Sequence, residues 1–117
     1  MNELIIEQSE AYKNFINSIN SEMTRKEYAK NIRYFMTFCN KLSYEDLISI
    51  PINELEGLIR DFIVDLRHNR NLSPSTVSSY LSPVSHFYEM NDVTIKWKKL
   101  KKFKAKHRSI VEDKPYT

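Results

Sequence analysis

The sequence predicts an all-α protein: a bundle of four or five helices followed by a basic C-terminal segment. Three observations predict it. Apolar residues recur at i, i+3, i+4 and i+7 in one stretch after another. The 117 residues include one Gly and four Pro, few for a chain built from tight hairpin turns. Residues that cap helices stand just ahead of the apolar stripes, at Thr24, Ser43, Asn53 and Ser73. The length suits one domain with a real core. A hydrophobic content of 41% and a charged content of 28% are ordinary for a folded soluble chain.

In order, residues 9–20 predict a first helix from Tyr12, Phe15, Ile16 and Ile19. Residues 24–41 predict a second, opened by a Thr24/Glu27 capping box, with Tyr28, Ile32, Phe35 and Cys39 along one side. Arg25, Lys26, Lys30, Arg33 and Lys41 are spread over its polar surface. Ser43 caps a short helix over Tyr44–Ile50 that ends before Pro51. Asn53 caps a fourth, running to about His68, with the stripe Leu55, Leu58, Ile59, Phe62, Ile63 and Leu66. Glu54, Glu56, Asp61 and Asp65 cover its other side, which disfavours that helix as a nucleic-acid surface.

The fifth helix, LSPSTVSSYLSPVSHFYEM, is the most informative. Ser73 suits the N-cap and Pro74 suits N1, where a missing N–H costs nothing. Val77, Tyr80, Leu81, Val84, Phe87 and Tyr88 form the apolar face. Ser75, Ser78, Ser79, Ser82, Ser85 and His86 form the other. Serine is a mediocre helix former, so a serine-paved face calls for a reason. Short hydroxyls admit a close, rigid partner, and the unpaired N–H groups of the helix start suit phosphate oxygens. The competing reading is close packing against another helix, or plain exposure to water. Pro83 inside this helix predicts a kink, at a cost of roughly 3 kcal/mol unless packing compensates.

Charge is divided along the chain. Residues 1–95 hold 9 Lys/Arg and 13 Asp/Glu, a net −4, whereas residues 96–117 hold 9 Lys/Arg and 2 Asp/Glu, a net +7. Lys96, Lys98, Lys99, Lys101, Lys102, Lys104, Lys106 and Arg108 place eight cations among thirteen residues with no acid. Trp97 and Phe103 are interleaved with them and give the segment something to bury. Basic residues with interleaved aromatics point to a polyanion partner, nucleic acid first.

Several classes are disfavoured. No apolar run approaches the ~20 residues that span a bilayer, and the acidic N-terminus MNELIIEQSE is unlike a signal peptide. Cys39 is the single cysteine, so no internal disulfide forms and a reducing cytoplasmic setting is expected. His68, His86 and His107 lack ligand-like neighbours at i+3 or i+4, so no metal site is expected. Gly57, the single glycine, cannot build a phosphate loop, and no other catalytic constellation is present. No cofactor, small-molecule ligand or membrane contact is expected, and catalytic residues are expected to be none.

SEMTRKEYAKNIRYFMTFC resembles the helix that marks the core-binding domain of tyrosine recombinases, the phage integrases, with matches at Thr24, Tyr28, Phe35 and Phe38. LSPSTVSSYLSPVSHFY resembles a later helix of that domain, with matches at Leu72, Ser73, Thr76, Leu81, Phe87 and Tyr88. The segment ending Asp113-Lys114-Pro115-Tyr116-Thr117 is similar to the linker that leads into the catalytic domain. The resemblance implies a SAM-like bundle over residues 1–95, with 96–117 as a basic linker toward a catalytic domain that these residues do not include. It implies one half of a C-shaped clamp around duplex DNA, and other recombinase protomers as partners. This chain itself is then not an enzyme.

Under that resemblance Thr24, Arg25, Lys30, Asn31, Ser73, Ser75, Thr76 and Ser79 face DNA, and Lys96 to Arg108 follow its backbone. Lysine is a point charge, less suited than arginine to bidentate base recognition, so backbone contacts are expected to dominate. Arg25, Lys30, Asn31 and Ser79 are the candidates for any base reading. Two other readings remain open. In one, a helical protein-interaction module docks a partner on its serine face and carries a basic tail; in the other, the aromatic-basic tail binds RNA.

Overall fold

The computed structural model describes residues 9–103. Among them every regular element is helical: α1 (Glu10–Ile16), α2 (Glu22–Phe38), α3 (Tyr44–Ser49), α4 (Ile52–Val64), α5 (Pro74–Met90) and the short α6 (Trp97–Leu100). A π-helical turn, Asp65–Asn69, extends α4. The expected all-α bundle is what forms.

Serine starts four of these helices. The hydroxyls of Ser9, Ser21, Ser43 and Ser73 accept from the backbone N–H of Tyr12, Thr24, Asp46 and Thr76 respectively. Each satisfies one of the donors that a helix start leaves without an internal partner. Ser43 and Ser73 cap as the sequence predicts. Thr24 does not: Ser21 lies three residues upstream, so Thr24 becomes the third helical residue and receives the cap. Glu27 then pairs with Lys30 at 3.4 Å instead of closing a capping box. Asn53 does not cap α4 either, because that helix begins at Ile52 behind Pro51, with no side-chain cap.

The ends are set by asparagine and aspartate. Asn40, Asn71 and Asp92 take φ values of 60°, 57° and 62°, a left-handed conformation that these short polar residues tolerate better than most. After α2, the Asn40 N–H reaches the Thr37 carbonyl and the Lys41 N–H reaches the Met36 carbonyl. After α5, Asp92 and Val93 reach Glu89 and Tyr88 in the same way. Both are Schellman closures. They end α2 at Phe38, short of the expected residue 41; α1 likewise stops at Ile16, short of residue 20.

α5 lies at the centre, packed along α1 and α2 and against the π turn. Val77, Val84, Phe87 and Tyr88 are fully buried, as are Phe15 of α1, Ile32 and Phe35 of α2, Leu47 of α3 and Leu55, Ile59 and Phe62 of α4. Phe62 stacks edge-on against Phe35 with ring centroids 5.0 Å apart. The Tyr88 hydroxyl donates to the Leu47 carbonyl at 2.9 Å, so its polar end is satisfied inside the core.

α5 continues through Pro83, whose ring is buried. Proline cannot donate to the Ser79 carbonyl one turn earlier. Asn31 Nδ2 of α2 donates to that carbonyl instead, at 3.4 Å.

Candidate nucleic-acid interface

The serine face of α5 is flanked by α2 on one side and α6 on the other. Ser78, Ser82, Ser85, His86 and Glu89 share a cleft of about 290 Å³ with Tyr28 of α2 and with Trp97 and Lys101. Helical spacing aligns these α5 residues along one strip, and the docking of α6 closes the far wall. The structure thus joins two features that stand apart in sequence, the hydroxyls and the basic segment.

α6 is held in place by its apolar side. Ile95 and Leu100 are buried, and Trp97 and Phe103 pack partly against the core. The Lys96 N–H donates to Glu56 Oε2 of α4 at 3.0 Å. The acidic side of α4 therefore anchors the start of the basic segment. Lys96, Lys98, Lys99, Lys101 and Lys102 are all exposed. Lys104, Lys106 and Arg108 lie outside the described residues.

The hydroxyls are arranged differently from expectation. Ser79 Oγ donates back to the Ser75 carbonyl at 3.4 Å, and Ser82 Oγ to the Ser78 carbonyl at 3.0 Å. At the start of α5, Ser73 Oγ contacts Ser75 Oγ at 3.3 Å and Thr76 Oγ1 at 3.0 Å. In this arrangement the protons of Ser79 and Ser82 point into their own helix, the back-bonding habit of helical serine. What the face offers a partner is close approach, while positive charge comes from the neighbouring lysines.

The candidates on α2 divide. Asn31 is 6% exposed and bonded to the Ser79 carbonyl, so it ties α2 to α5 and is buried from any partner. The expectation that Asn31 reads bases does not fit that placement. Thr24 is half-buried and its N–H is taken by Ser21. Arg25 spends Nε on the Ile19 carbonyl at 2.6 Å. Arg25, Lys26, Lys30 and Arg33 line a groove of about 550 Å³ shared with Tyr12 and Ile16 of α1, away from the α6 cleft. The α2 cations and the α6 lysines therefore form two separate basic surfaces.

Sequence reasoning passed over Arg70 and Tyr34, and read Glu56 only as part of an acidic helix face. Arg70 sits on the Tyr34 ring, with Cζ 4.8 Å from its centroid. Burial raises the Tyr34 phenol pKa, and the Arg70 charge works against that rise. The single acid-to-backbone bond of Glu56 has no local sequence signal, since its partner is 40 residues away.

The remaining titratable groups of note are buried or bonded within the fold. Burial pushes the Cys39 thiol up to about 12, so it stays protonated and unreactive at neutral pH. Burial likewise raises the Tyr88 phenol. His86 contacts Ser18 Oγ through Nε2 at 2.6 Å and packs near Phe15 and Tyr28. Among the described residues no three His, Cys, Asp or Glu side chains cluster as a metal site would require. No described helix is long and apolar enough to cross a membrane.

No match was found among curated proteins or among solved structures. The family model described as phage integrase, N-terminal SAM-like domain, matches residues 6–92. That span runs from the start of the bundle through the close of α5 and holds both helices on which the resemblance rests, and the chain belongs to this family of phage integrase N-terminal SAM-like domains.

Proposed function

We propose that this chain is the duplex-DNA-binding half of a tyrosine recombinase clamp, acting in site-specific recombination and DNA integration. The observation that carries the reading is the seating of α6. A turn bearing exposed Lys98, Lys99, Lys101 and Lys102 is fixed, through Trp97 and Leu100, beside the serine face of α5. Cations held on a folded surface lose less freedom on meeting phosphates than cations on a loose tail. Ser73, Ser75, Thr76 and Ser79, exposed along the first turns of α5, admit the sugar-phosphate backbone closely. Lys30 supplies charge on the second basic surface, the groove between α1 and α2. Residues 1–95 act as the core-binding domain, and 96–117 carry the path toward a catalytic domain that supplies the chemistry. Other protomers of the recombinase complete the assembly, which works in the cytoplasm in association with its DNA.

Replacing Lys98, Lys99, Lys101 and Lys102 together with Ala tests this. Affinity for unrelated duplexes should fall alike, and the slope of log affinity against log salt should flatten by about 3 to 4, roughly 0.9 for each lost phosphate contact. Circular dichroism should be unchanged, because all four side chains are exposed. Unaltered affinity and slope would remove α6 from the interface.

A further inference from the structure

We infer that Arg70, stacked on Tyr34 at the junction of α4 and α5, reads a guanine in the DNA site. The inference rests on the DNA-binding reading above and adds sequence specificity to it, from the turn that leads into the serine helix α5.

The other described arginines are committed or set apart. Arg25 donates through Nε to the Ile19 carbonyl. Arg60 gives Nε and Nη2 to Asp61 at 3.4 and 3.3 Å. Arg67 is buried and donates to the Leu72 carbonyl. Arg33 is half-buried in the groove between α1 and α2.

Arg70 differs in three respects. Its guanidinium lies over the Tyr34 ring, and Tyr34 is itself backed by Tyr80 of α5 with centroids 5.4 Å apart. Its Nε faces Asp65 Oδ2 at 3.6 Å, an interaction that does not spend the two terminal nitrogens. Its side chain is 53% exposed. The backbone beneath is fixed too: the Arg70 N–H closes the π turn on the Asp65 carbonyl, and left-handed Asn71 turns the chain into α5. Ser73, the α5 cap, follows three residues later. A π turn often marks a functional position in a helix.

This combination suits base recognition. A guanidinium presents two parallel donors that match guanine O6 and N7 in the major groove, the commonest specific contact to DNA. Stacking holds the fork in plane before DNA arrives, so less rotamer freedom is lost. Lysine has the charge and lacks the fork.

The experiment is selection from a random duplex library by the full chain, run in parallel with Arg70→Lys, Tyr34→Leu and Tyr34→Phe, with unselected duplex measured by anisotropy. The wild type should enrich a motif with one fixed guanine. Arg70→Lys should lose preference at that position by about tenfold or more, while its affinity for unselected duplex changes by less than about twofold, since the charge is kept. Tyr34→Leu should lose the same preference although the arginine remains, and Tyr34→Phe, which keeps the ring, should retain it. An unchanged motif in Arg70→Lys overturns the inference. So does a wild type that binds duplex and enriches nothing; the DNA-binding reading would then stand alone. A wild type that binds no duplex at low salt sinks both.

Discussion

Asn31 and Pro83 are 52 positions apart in sequence and meet over a single carbonyl. Pro83 removes the N–H that would normally serve Ser79, and the Asn31 amide of α2 takes its place at 3.4 Å. An orphaned buried carbonyl costs about 1–3 kcal/mol, and a made hydrogen bond returns about 1. Asn31→Leu should therefore lower stability by about 1–2 kcal/mol in urea unfolding. In a Pro83→Ala background the helix supplies its own donor, and the same substitution should cost about 1 kcal/mol less. Equal costs in both backgrounds would show that the amide does not serve that carbonyl. Cys39 illustrates burial acting on charge. Its folded pKa of about 12 lies above its ordinary value near 9, so its contribution to stability is complete below pH 9 and is lost as pH rises toward 12. It has no bearing on behaviour near neutrality.

At the scale of elements, α5 carries both faces of the protein's work. Its apolar side holds α1 and α2 together, and its serine side forms the floor between α2 and α6. Adding carboxylates to the serine side nearer the start of α5 should repel a phosphate backbone. Ser75→Glu and Ser79→Glu should each weaken duplex binding several-fold at low salt and lose that effect at high salt, because the repulsion is screened. Thermal melting should stay close to that of the wild type, both positions being exposed. Normal binding by both variants would turn the serine helix away from DNA.

The helices were legible where the signal is local. Ser73 followed by Pro74 names its own cap, and the stripe Leu55, Ile59, Phe62 and Ile63 names a buried face. Signals failed where two local patterns competed. Ser21-x-x-Thr24 and Thr24-x-x-Glu27 are both good starts, and the earlier hydroxyl wins by beginning the helix sooner. They failed again where the partner is remote. A polar residue such as Asn31 reads as surface until Ser79, 48 residues on, is seen across from it. Arg25 and Lys30 read as one face with the serines, and only the packing of α1 shows that α2 turns its cations into another groove.

Across the whole molecule, charge is sorted by position rather than by sequence alone. The basic segment is tied to the acidic helix α4 through one of its carboxylates, Glu56, which holds the Lys96 backbone. The family match ends at residue 92, and the structure continues the folded surface through α6 to Phe103. The described lysines from Lys96 to Lys102 thus lie just past the matched span, on a turn whose apolar side packs against the same core. If phosphates are their partner, binding must release counterions and must weaken steeply with salt. The most direct measurement is fluorescence anisotropy of a labelled random duplex titrated with this chain at roughly 50 and 200 mM salt. Micromolar binding with a log-log slope near −5, as for ~6 neutralised phosphates, is the expected result. Absence of binding at the lower salt, or binding indifferent to salt, would contradict DNA clamping by this domain.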